Sequence, residues 1–265
     1  MSTTSETLER DAYVSVAFPL SREEFVAAAE TFFEFLTLPQ ETKNAVFFLR
    51  DQNDPQGTEV GYVRQVGAKD EEYGYKDFKE YFHYHPDAEV RFADVAAKEP
   101  KLRAFMDAAG KIFGHAEEAV QGILTELDAE FPGLKGSFVS PTLPLARALR
   151  FLKYDAAGKG KFLARAHYDR GGCTLALAES APGLRIGKDD ASLTEVVHKD
   201  GTALFMPGFH FPEMTDGRIP AAWHDVVQAS EDTISEDTAR WAIVYFVNAY
   251  GRRLPTSAEV HAPKK

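Results

Sequence analysis

The sequence predicts an α+β, mainly β protein, in which a helical first half supports a double-stranded β-helix (jelly-roll) core in the second half. Two observations indicate this fold class. Apolar residues recur at helical spacing up to about residue 130, and beyond that point short apolar runs alternate with turn residues. The chain also has 20 Phe among its 265 residues, and bulky aromatic side chains suit the interior of a barrel.

Two long helices are expected in the first half. The first begins at Ser21, because Ser21 and Glu24 have the S-x-x-E form of a capping box and apolar residues follow on one helical face. It ends before Pro39. The second begins after Pro100 and keeps the three- and four-residue apolar spacing until Pro132 stops it.

Eight strands are expected in the second half, as short apolar runs separated by Gly, Asp or Pro turns. Closely spaced short strands of this kind are typical of two antiparallel sheets in a jelly roll. The runs are Leu145–Tyr154, Lys161–Tyr168, Thr174–Ala178, Leu184–Ile186, Glu195–Val197, Ala203–Met206, Trp223–Gln228 and Arg240–Val247. We expect one domain over residues 1–265, with a helical support region to about 140, the jelly-roll core over about 141–250 and a tail at 251–265.

Composition limits the possible partners. The chain has 30 Lys and Arg against 41 Asp and Glu, a formal net charge of −11, which argues against wrapping nucleic acid or coating anionic membranes. Its single cysteine, Cys173, excludes an internal disulfide and favours a reducing compartment. No apolar run approaches the roughly 18 residues of a membrane span, and no secretory signal is recognisable. We therefore expect a cytoplasmic monomer or weak dimer that binds a small molecule.

Three His-x-Asp patterns occur, beginning at His85, His167 and His198. Residues i and i+2 of a strand point to the same face, so His167 and Asp169, at the end of a predicted strand, can bind one ion together. The pattern at His85 contains a proline, and the pattern at His198 runs directly into an Asp-Gly turn. We expect these two histidines to be solvated loop residues.

A facial iron site with two histidines and one carboxylate needs a third ligand from another strand. His224, at the start of an apolar strand, is the candidate, although by itself it could be a core or edge histidine with a local hydrogen bond. Arg240 favours the metal interpretation. It opens the last strand, where an arginine is costly to bury unless it pairs with an anion such as a dicarboxylate cosubstrate.

Four stretches between about Phe32 and Asn248 carry a resemblance to a known family. They are Phe32-Phe33 with Leu38–Lys43, Gly61-Tyr62 with Asp77–Phe82, His167–Leu177 with Pro182–Ile186, and Asp216–Val226 with Arg240. In this order they are similar to the motifs FF…LP.E.K, GY…D.KE.F, H-T-D-x-G-x-L-T-L-L…GLQV and NGR…HRV…R-x-S. These motifs belong to the 2-oxoglutarate- and Fe(II)-dependent dioxygenases, in the isopenicillin N synthase-like branch.

The resemblance implies an Fe(II) site formed by His167, Asp169 and His224. It also implies that Arg240 and Tyr154 bind the far carboxylate of 2-oxoglutarate, while Ala242 stands where the family has a serine hydroxyl. In the family, O2 oxidises the substrate as 2-oxoglutarate is converted to succinate and CO2, and ascorbate serves as a reductant in assays. Related halogenases have a small residue at the aspartate position, so Asp169 favours hydroxylation, desaturation or ring formation.

Local charge predicts an anionic substrate. Basic residues outnumber acidic ones between Arg147 and Arg170, although the chain as a whole is acidic. Arg150 lies four residues before Tyr154 on the same predicted strand, so both point to one face. Arg170 directly follows Asp169. We therefore expect a small, carboxylate-bearing substrate that is held by Arg150 with help from Arg170.

Two other functions remain open from the residues. One is an iron-dependent oxidase of the same fold that does not use 2-oxoglutarate. The other is a non-catalytic jelly roll that binds a ligand. Arg240 with Tyr154 favours use of 2-oxoglutarate over the first alternative. An intact set of metal ligands argues against the second, because a pure binding protein has no use for it.

Overall fold

The computed structural model describes residues 2–50, 59–65, 78–138, 147–231, 235 and 238–263. Asp77 of the second resemblance stretch and Leu145 at the predicted start of a strand lie outside these ranges. The helices are α1 (Thr4–Asp11), α2 (Arg22–Leu36), α3 (Gln40–Ala45), α4 (Asp87–Arg91), α5 (Ala93–Ala96), α6 (Pro100–Asp128), α7 (Phe211–Met214) and α8 (Ser257–Val260), with a 3₁₀ turn at Lys135–Phe138.

The strands form two antiparallel sheets. Those of the first half are β1 (Val14–Ala17), β2 (Leu49–Arg50), β3 (Glu59–Gln65) and β4 (Lys79–Tyr84). Those of the second half are β5 (Arg147–Asp155), β6 (Phe162–His167), β7 (Cys173–Glu179), β8 (Leu184–Gly187), β9 (Thr194–Glu195), β10 (Thr202–Pro207), β11 (Trp223–Val227) and β12 (Thr238–Val247). The larger sheet has the order β1-β10-β7-β12-β5-β4-β3-β2, and the smaller has the order β6-β11-β8-β9. The eight predicted strands and the jelly-roll core are confirmed.

The two long helices begin where the sequence predicts. At α2, the Ser21 hydroxyl accepts a hydrogen bond from the Glu24 amide at 3.3 Å, and the Glu24 carboxylate accepts one from the Ser21 amide at 2.9 Å. Helix α6 starts on Pro100, whose missing N–H costs nothing at the first helical position. It ends at Asp128, before Pro132, because the Asp128 side chain accepts hydrogen bonds from two amides of the following turn.

Most buried Phe side chains of the described residues lie outside the barrel, not inside it as expected, although Tyr154 and Phe246 line the space between the sheets. Phe105 of α6 contacts Phe151 of β5, with ring centroids 5.0 Å apart, and Phe32 of α2 at 5.5 Å, so these rings join the helices to the outer face of the larger sheet. The space between the two sheets is lined instead by smaller side chains such as Ala164 and Ala242. The prediction of an aromatic interior is wrong because this space has to leave room for a cavity.

The first half also contributes strands to the larger sheet. The sequence analysis predicted only helices there and missed these strands. Strand β1 pairs with β10 at one edge of the larger sheet, and β4 pairs with β5 and carries β3 and β2 beyond it. Strand β1 has only four residues with alternate burial, too short a pattern to stand out in the sequence. The strand β4 matters for function, because it lies next to a strand that lines the cavity.

The C-terminal tail is ordered against β6. The Tyr168 amide donates to the Val260 carbonyl at 2.9 Å, and a His261 ring nitrogen donates to the Ala166 carbonyl at 3.0 Å. The tail therefore holds the end of the strand that carries His167. The division into one domain over residues 1–265 stays a prediction. No helix in the described part of the chain is long and apolar enough to cross a bilayer.

One glycine fixes how β8 meets β11. Gly183 has a φ of +121°, and a Cβ built on it would lie 1.9 Å from the Val227 carbonyl oxygen. The backbone of this residue can therefore approach Val227 closely, and its carbonyl accepts the Val227 amide at 2.9 Å. This contact sets the register of the strand that carries His224.

Candidate metal centre

His167, Asp169 and His224 come together on the smaller sheet. His167 ends β6 and lies in register with His224 of the neighbouring β11, and Asp169 follows two residues after His167. The Nε2 atoms of both histidines lie 3.8 Å from Asp169 Oδ1, and one potential ligand atom from each residue lies within 4.8 Å of the others. Within the described residues, this is the one group of His, Cys, Asp or Glu side chains with a metal-binding arrangement.

The hydrogen bonds around these side chains prepare them for a metal ion. The Nδ1 atom of His167 lies 2.6 Å from the Arg165 carbonyl, and that of His224 lies 3.0 Å from the Ala222 carbonyl. A carbonyl only accepts, so both Nδ1 atoms carry the proton and both Nε2 lone pairs face the centre. The Thr174 hydroxyl donates to Asp169 Oδ2 at 2.7 Å. That bond leaves Oδ1 directed at the histidines.

The charge states also suit metal binding. Burial, with a further contribution from His224, lowers the pKa of His167 to about 3, so its imidazole is neutral at physiological pH. Burial works against ionisation of Asp169, but the two histidines and the Thr174 hydroxyl outweigh it and hold the pKa of the carboxyl below its usual value. Two imidazoles and one carboxylate form the donor set that Fe(II) takes in facial sites.

A cavity that opens to solvent lies between the two sheets and contains this centre. Its lining includes all three candidate metal ligands, both arginines that the sequence singled out on strands, and Tyr154. The lining residues are Arg150, Leu152, Tyr154, Ala164, His167, Asp169, Ala176, Ala178, Glu179, Leu184, Met206, His224, Val226, Arg240, Ala242, Val244 and Phe246. Arg170 is exposed and does not line the cavity.

Arg240 is a buried cation with unused donors. Its side chain is 3% exposed, and its Nη2 atom lies 3.8 Å from the Glu179 carboxylate. Its Nε and Nη1 atoms are buried and have no hydrogen-bond partner among the described residues. Burial lowers the pKa of Arg240, although Glu179 and Tyr154 oppose that shift. Because buried donors are seldom left unpaired, this guanidinium fits a carboxylate ligand that enters the cavity.

Tyr154 and Ala242 lie beside Arg240. Tyr154 of β5 is the register partner of Arg240 on β12 and lines the same cavity. Ala242, two residues after Arg240, faces the cavity without a hydroxyl. The arrangement places a phenol and a guanidinium next to each other, with a small apolar side chain on the same face.

Arg150 is held by side chains that the sequence did not indicate. Its guanidinium carbon lies 4.7 Å from the ring centroids of both Tyr81 and Phe246, and its Nε donates to His83 Nε2 at 2.7 Å. Tyr81 and His83 belong to β4, where His83 is the register partner of Arg150. The two-residue spacing of Tyr81 and His83 could have shown that their side chains lie on the same face of one strand. The sequence does not show that this strand pairs with the strand that carries Arg150.

The expectation that His85 and His198 are solvated loop residues is wrong. The side chain of His198 is 7% exposed, and its ring contacts the Glu179 carboxylate and the Ala176 carbonyl. The side chain of His85 is 12% exposed and packs edge-on against Phe113. Each histidine lies in a loop as expected, yet the ring itself points inward, because a neighbouring strand or helix offers it a partner. Neither joins the metal centre.

Comparison with known proteins agrees with this geometry. Residues 147–249 match the family model of the 2OG-Fe(II) oxygenase superfamily. No curated protein sequence matches the chain. Among solved structures, full-length T7H of Neurospora crassa in complex with alpha-KG has a TM-score of 0.69 and 19% identity, and the alignment covers 97% of this chain and 83% of that one.

A second structure gives a similar result. The dioxygenase for auxin oxidation 1 of Arabidopsis thaliana, as a 2-oxoglutarate binary complex, has a TM-score of 0.68 and 17% identity over 97% of this chain and 90% of that one. At this identity the structures show a shared fold, and the family match covers the strands that carry the centre. Residues 147–249 therefore carry a 2OG-Fe(II) oxygenase domain, which supports a dioxygenase that depends on Fe(II), 2-oxoglutarate and O2.

Proposed function

We propose that the enzyme oxidises a small, carboxylate-bearing metabolite by hydroxylation, desaturation or ring formation, with release of succinate and CO2. One observation carries the proposal: the cavity that contains the candidate metal centre has two separate cationic anchors, Arg240 and Arg150. One of them suffices for the far carboxylate of 2-oxoglutarate. The other is then available for an anionic group of the primary substrate.

His167, Asp169 and His224 are the residues that we propose as ligands of Fe(II). Bound Fe(II), with 2-oxoglutarate and O2, would supply the oxidising chemistry. The protein's part is orientation: backbone carbonyls keep both Nε2 lone pairs directed at one point, and Thr174 keeps Oδ1 of Asp169 directed there too. Outer hydrogen bonds of this kind typically set the affinity of a metal site.

Arg240 and Tyr154 are proposed to bind the far carboxylate of 2-oxoglutarate. The two unpartnered nitrogens of Arg240 support this, because a carboxylate can accept a charge-assisted bond from each. Tyr154 lines the same side of the cavity and can donate its hydroxyl. Ala242 removes the hydroxyl donor that the family has at this position, so more of the binding rests on Arg240.

Arg150 is proposed to bind the primary substrate. The rings of Tyr81 and Phe246 hold its guanidinium plane, and His83 accepts one of its five N–H groups, so four donors are available for a carboxylate. A guanidinium fixed in this way loses little side-chain entropy when a ligand binds. Arg170 lies in the exposed turn after Asp169, which restricts it to a part of the substrate outside the cavity.

Succinate formation tests the proposal. The Fe(II)-loaded enzyme, with 2-oxoglutarate and ascorbate, would be screened against small metabolites, each carboxylate paired with its own amide or methyl ester. We expect succinate release to be stimulated by a carboxylate and not by its uncharged counterpart. Equal stimulation by the uncharged counterpart, or a preferred substrate that is neutral or cationic, would reject a carboxylate-bearing substrate.

The variant Arg150→Ala is expected to raise the KM for the primary substrate by at least about tenfold, because it removes a charge-assisted bond to the substrate. The KM for 2-oxoglutarate should change little. The matched control is Lys161→Ala, an exposed cation of the same basic stretch, which should behave like the wild type. Steady-state kinetics with each substrate varied in turn measure both constants. Normal kinetics for Arg150→Ala would contradict the assignment.

A further inference from the structure

A buried row of three ionisable side chains runs from the cavity wall to the residue behind it: Arg240 and Glu179 line the cavity, and His198 does not. The side chains of Arg240, Glu179 and His198 are 3%, 9% and 7% exposed. The His198 Nδ1 atom lies 2.7 Å from Glu179 Oε2, and the same carboxylate oxygen lies 3.8 Å from Arg240 Nη2. One carboxylate thus stands between two potential cations, and only one of them faces the cavity.

The hydrogen bonds determine the protonation of His198. Its Nε2 atom lies 2.7 Å from the Ala176 carbonyl, and its Nδ1 atom faces the Glu179 carboxylate. A carbonyl only accepts, and Glu179 is ionised, because His198 and Arg240 outweigh the effect of burial and hold the pKa of this carboxyl below its usual value. Both ring nitrogens of His198 thus face acceptors, an arrangement that a doubly protonated ring satisfies.

Arg22 and Tyr154 also lie beside this row, and the charge of Arg22 helps to lower the pKa of Glu179. Arg22, at the start of α2, donates to the backbone carbonyl of Glu179 at 2.8 Å, not to its carboxylate. Tyr154 is the register partner of Arg240 on the neighbouring strand β5. The short bond pairs Glu179 with His198, while the longer distance leaves Arg240 with two unpartnered nitrogens and a net positive charge.

A neutral residue at position 198 would reverse this arrangement. The carboxylate of Glu179 would then have Arg240 as its cationic partner on the cavity side, and a shift of about 1 Å would bring the two within charge-assisted hydrogen-bond distance. Such a pair would occupy donors that a ligand needs, and because its net charge is zero it would attract an incoming carboxylate less than a free guanidinium does.

We propose that His198 is a positioning residue for the cosubstrate: as an imidazolium it holds and neutralises Glu179, and so keeps Arg240 available to the far carboxylate of 2-oxoglutarate. This inference rests on the proposed role of Arg240. The family's motifs do not include this role for His198, because its hydrogen bonds go to Glu179 and Ala176 and not to the candidate metal ligands or Arg240. It assigns a function to a His-x-Asp histidine that the metal centre leaves unused.

The experiment measures 2-oxoglutarate binding by calorimetry under anaerobic conditions, on Fe(II)-loaded wild type and on His198→Gln, His198→Lys, Glu179→Gln and the double variant His198→Gln/Glu179→Gln. We expect His198→Gln to weaken binding by about tenfold, in proportion to the loss of a charge-assisted contact. His198→Lys keeps the positive charge and should bind as the wild type does. The double variant should recover, because the competing carboxylate is gone.

Nitrogen-15 NMR of histidine-labelled wild type gives a readout that does not depend on any variant's folding. The signals that disappear in His198→Gln identify the residue, and both of its ring nitrogens should have the shifts of protonated imidazolium at neutral pH. A neutral ring would overturn the proposal. Unchanged binding in His198→Gln would overturn it too, as would weakened binding that Glu179→Gln fails to rescue.

The variant Arg240→Gln separates this inference from the function on which it rests. If 2-oxoglutarate binds equally well to Arg240→Gln, then Arg240 is not the anchor and the proposed cosubstrate site is wrong. If Arg240→Gln weakens binding while His198→Gln does not, the cosubstrate site stands and only the role of His198 is rejected.

Discussion

Replacing His167, Asp169 or His224 with alanine is expected to abolish iron binding and catalysis while the fold survives. Each change removes one of three proposed ligands, and two ligands do not hold Fe(II) in a facial site. Loss of an outer hydrogen-bond partner alone typically reduces metal affinity by about 10–100-fold, so loss of a ligand should exceed that range. Anaerobic iron titration measures the affinity, and circular dichroism checks the fold.

Two other histidines of His-x-Asp patterns provide the controls. His85→Gln should keep both iron and activity, because His85 lies outside the metal centre and packs against Phe113. His198→Gln should keep iron but bind 2-oxoglutarate more weakly. Full retention of Fe(II) in any variant of His167, Asp169 or His224, or loss of Fe(II) in His198→Gln, would show that the ligands are wrongly assigned.

The sequence predicted those parts of the fold that local patterns determine. The capping residues of α2 and the apolar spacing of α6 are visible within a few residues, and the eight strands of the second half are bounded by turn residues. Side-chain alternation also placed Arg150 and Tyr154 on the same face of β5, and both line the cavity. Each of these features depends on neighbours along the chain.

Features that depend on which strands pair could not be predicted in this way. The rings around Arg150 come from β4 and β12, and the partner of His198 comes from β7. Most buried Phe side chains lie on the outer face of the larger sheet because α2 and α6 cover that face, while the cavity takes the space inside. A single sequence shows that a residue is apolar or ionisable, but not which distant strand will lie beside it.

Arg240→Gln is expected to raise the Kd and KM for 2-oxoglutarate by tenfold or more, with little effect on iron binding. A hydrogen bond to a charged group contributes about 1.5–3 kcal/mol, and glutamine removes the charge and most of the donors. The effect should be near the upper end of this range, because Arg240 is buried and Ala242 supplies no hydroxyl to share the carboxylate. Calorimetry and succinate kinetics give the two constants.

Tyr154→Phe should weaken 2-oxoglutarate binding less than Arg240→Gln does. It removes one neutral hydrogen bond, worth about 0.5–1.5 kcal/mol, so the KM for 2-oxoglutarate should rise by less than in Arg240→Gln. Pyruvate is the control ligand, because it lacks the far carboxylate. It should bind wild type and Arg240→Gln with similar weak affinity, so that only a dicarboxylate distinguishes the two enzymes. An Arg240→Gln enzyme with unchanged dependence on 2-oxoglutarate would mean that the guanidinium on β12 serves some other anion.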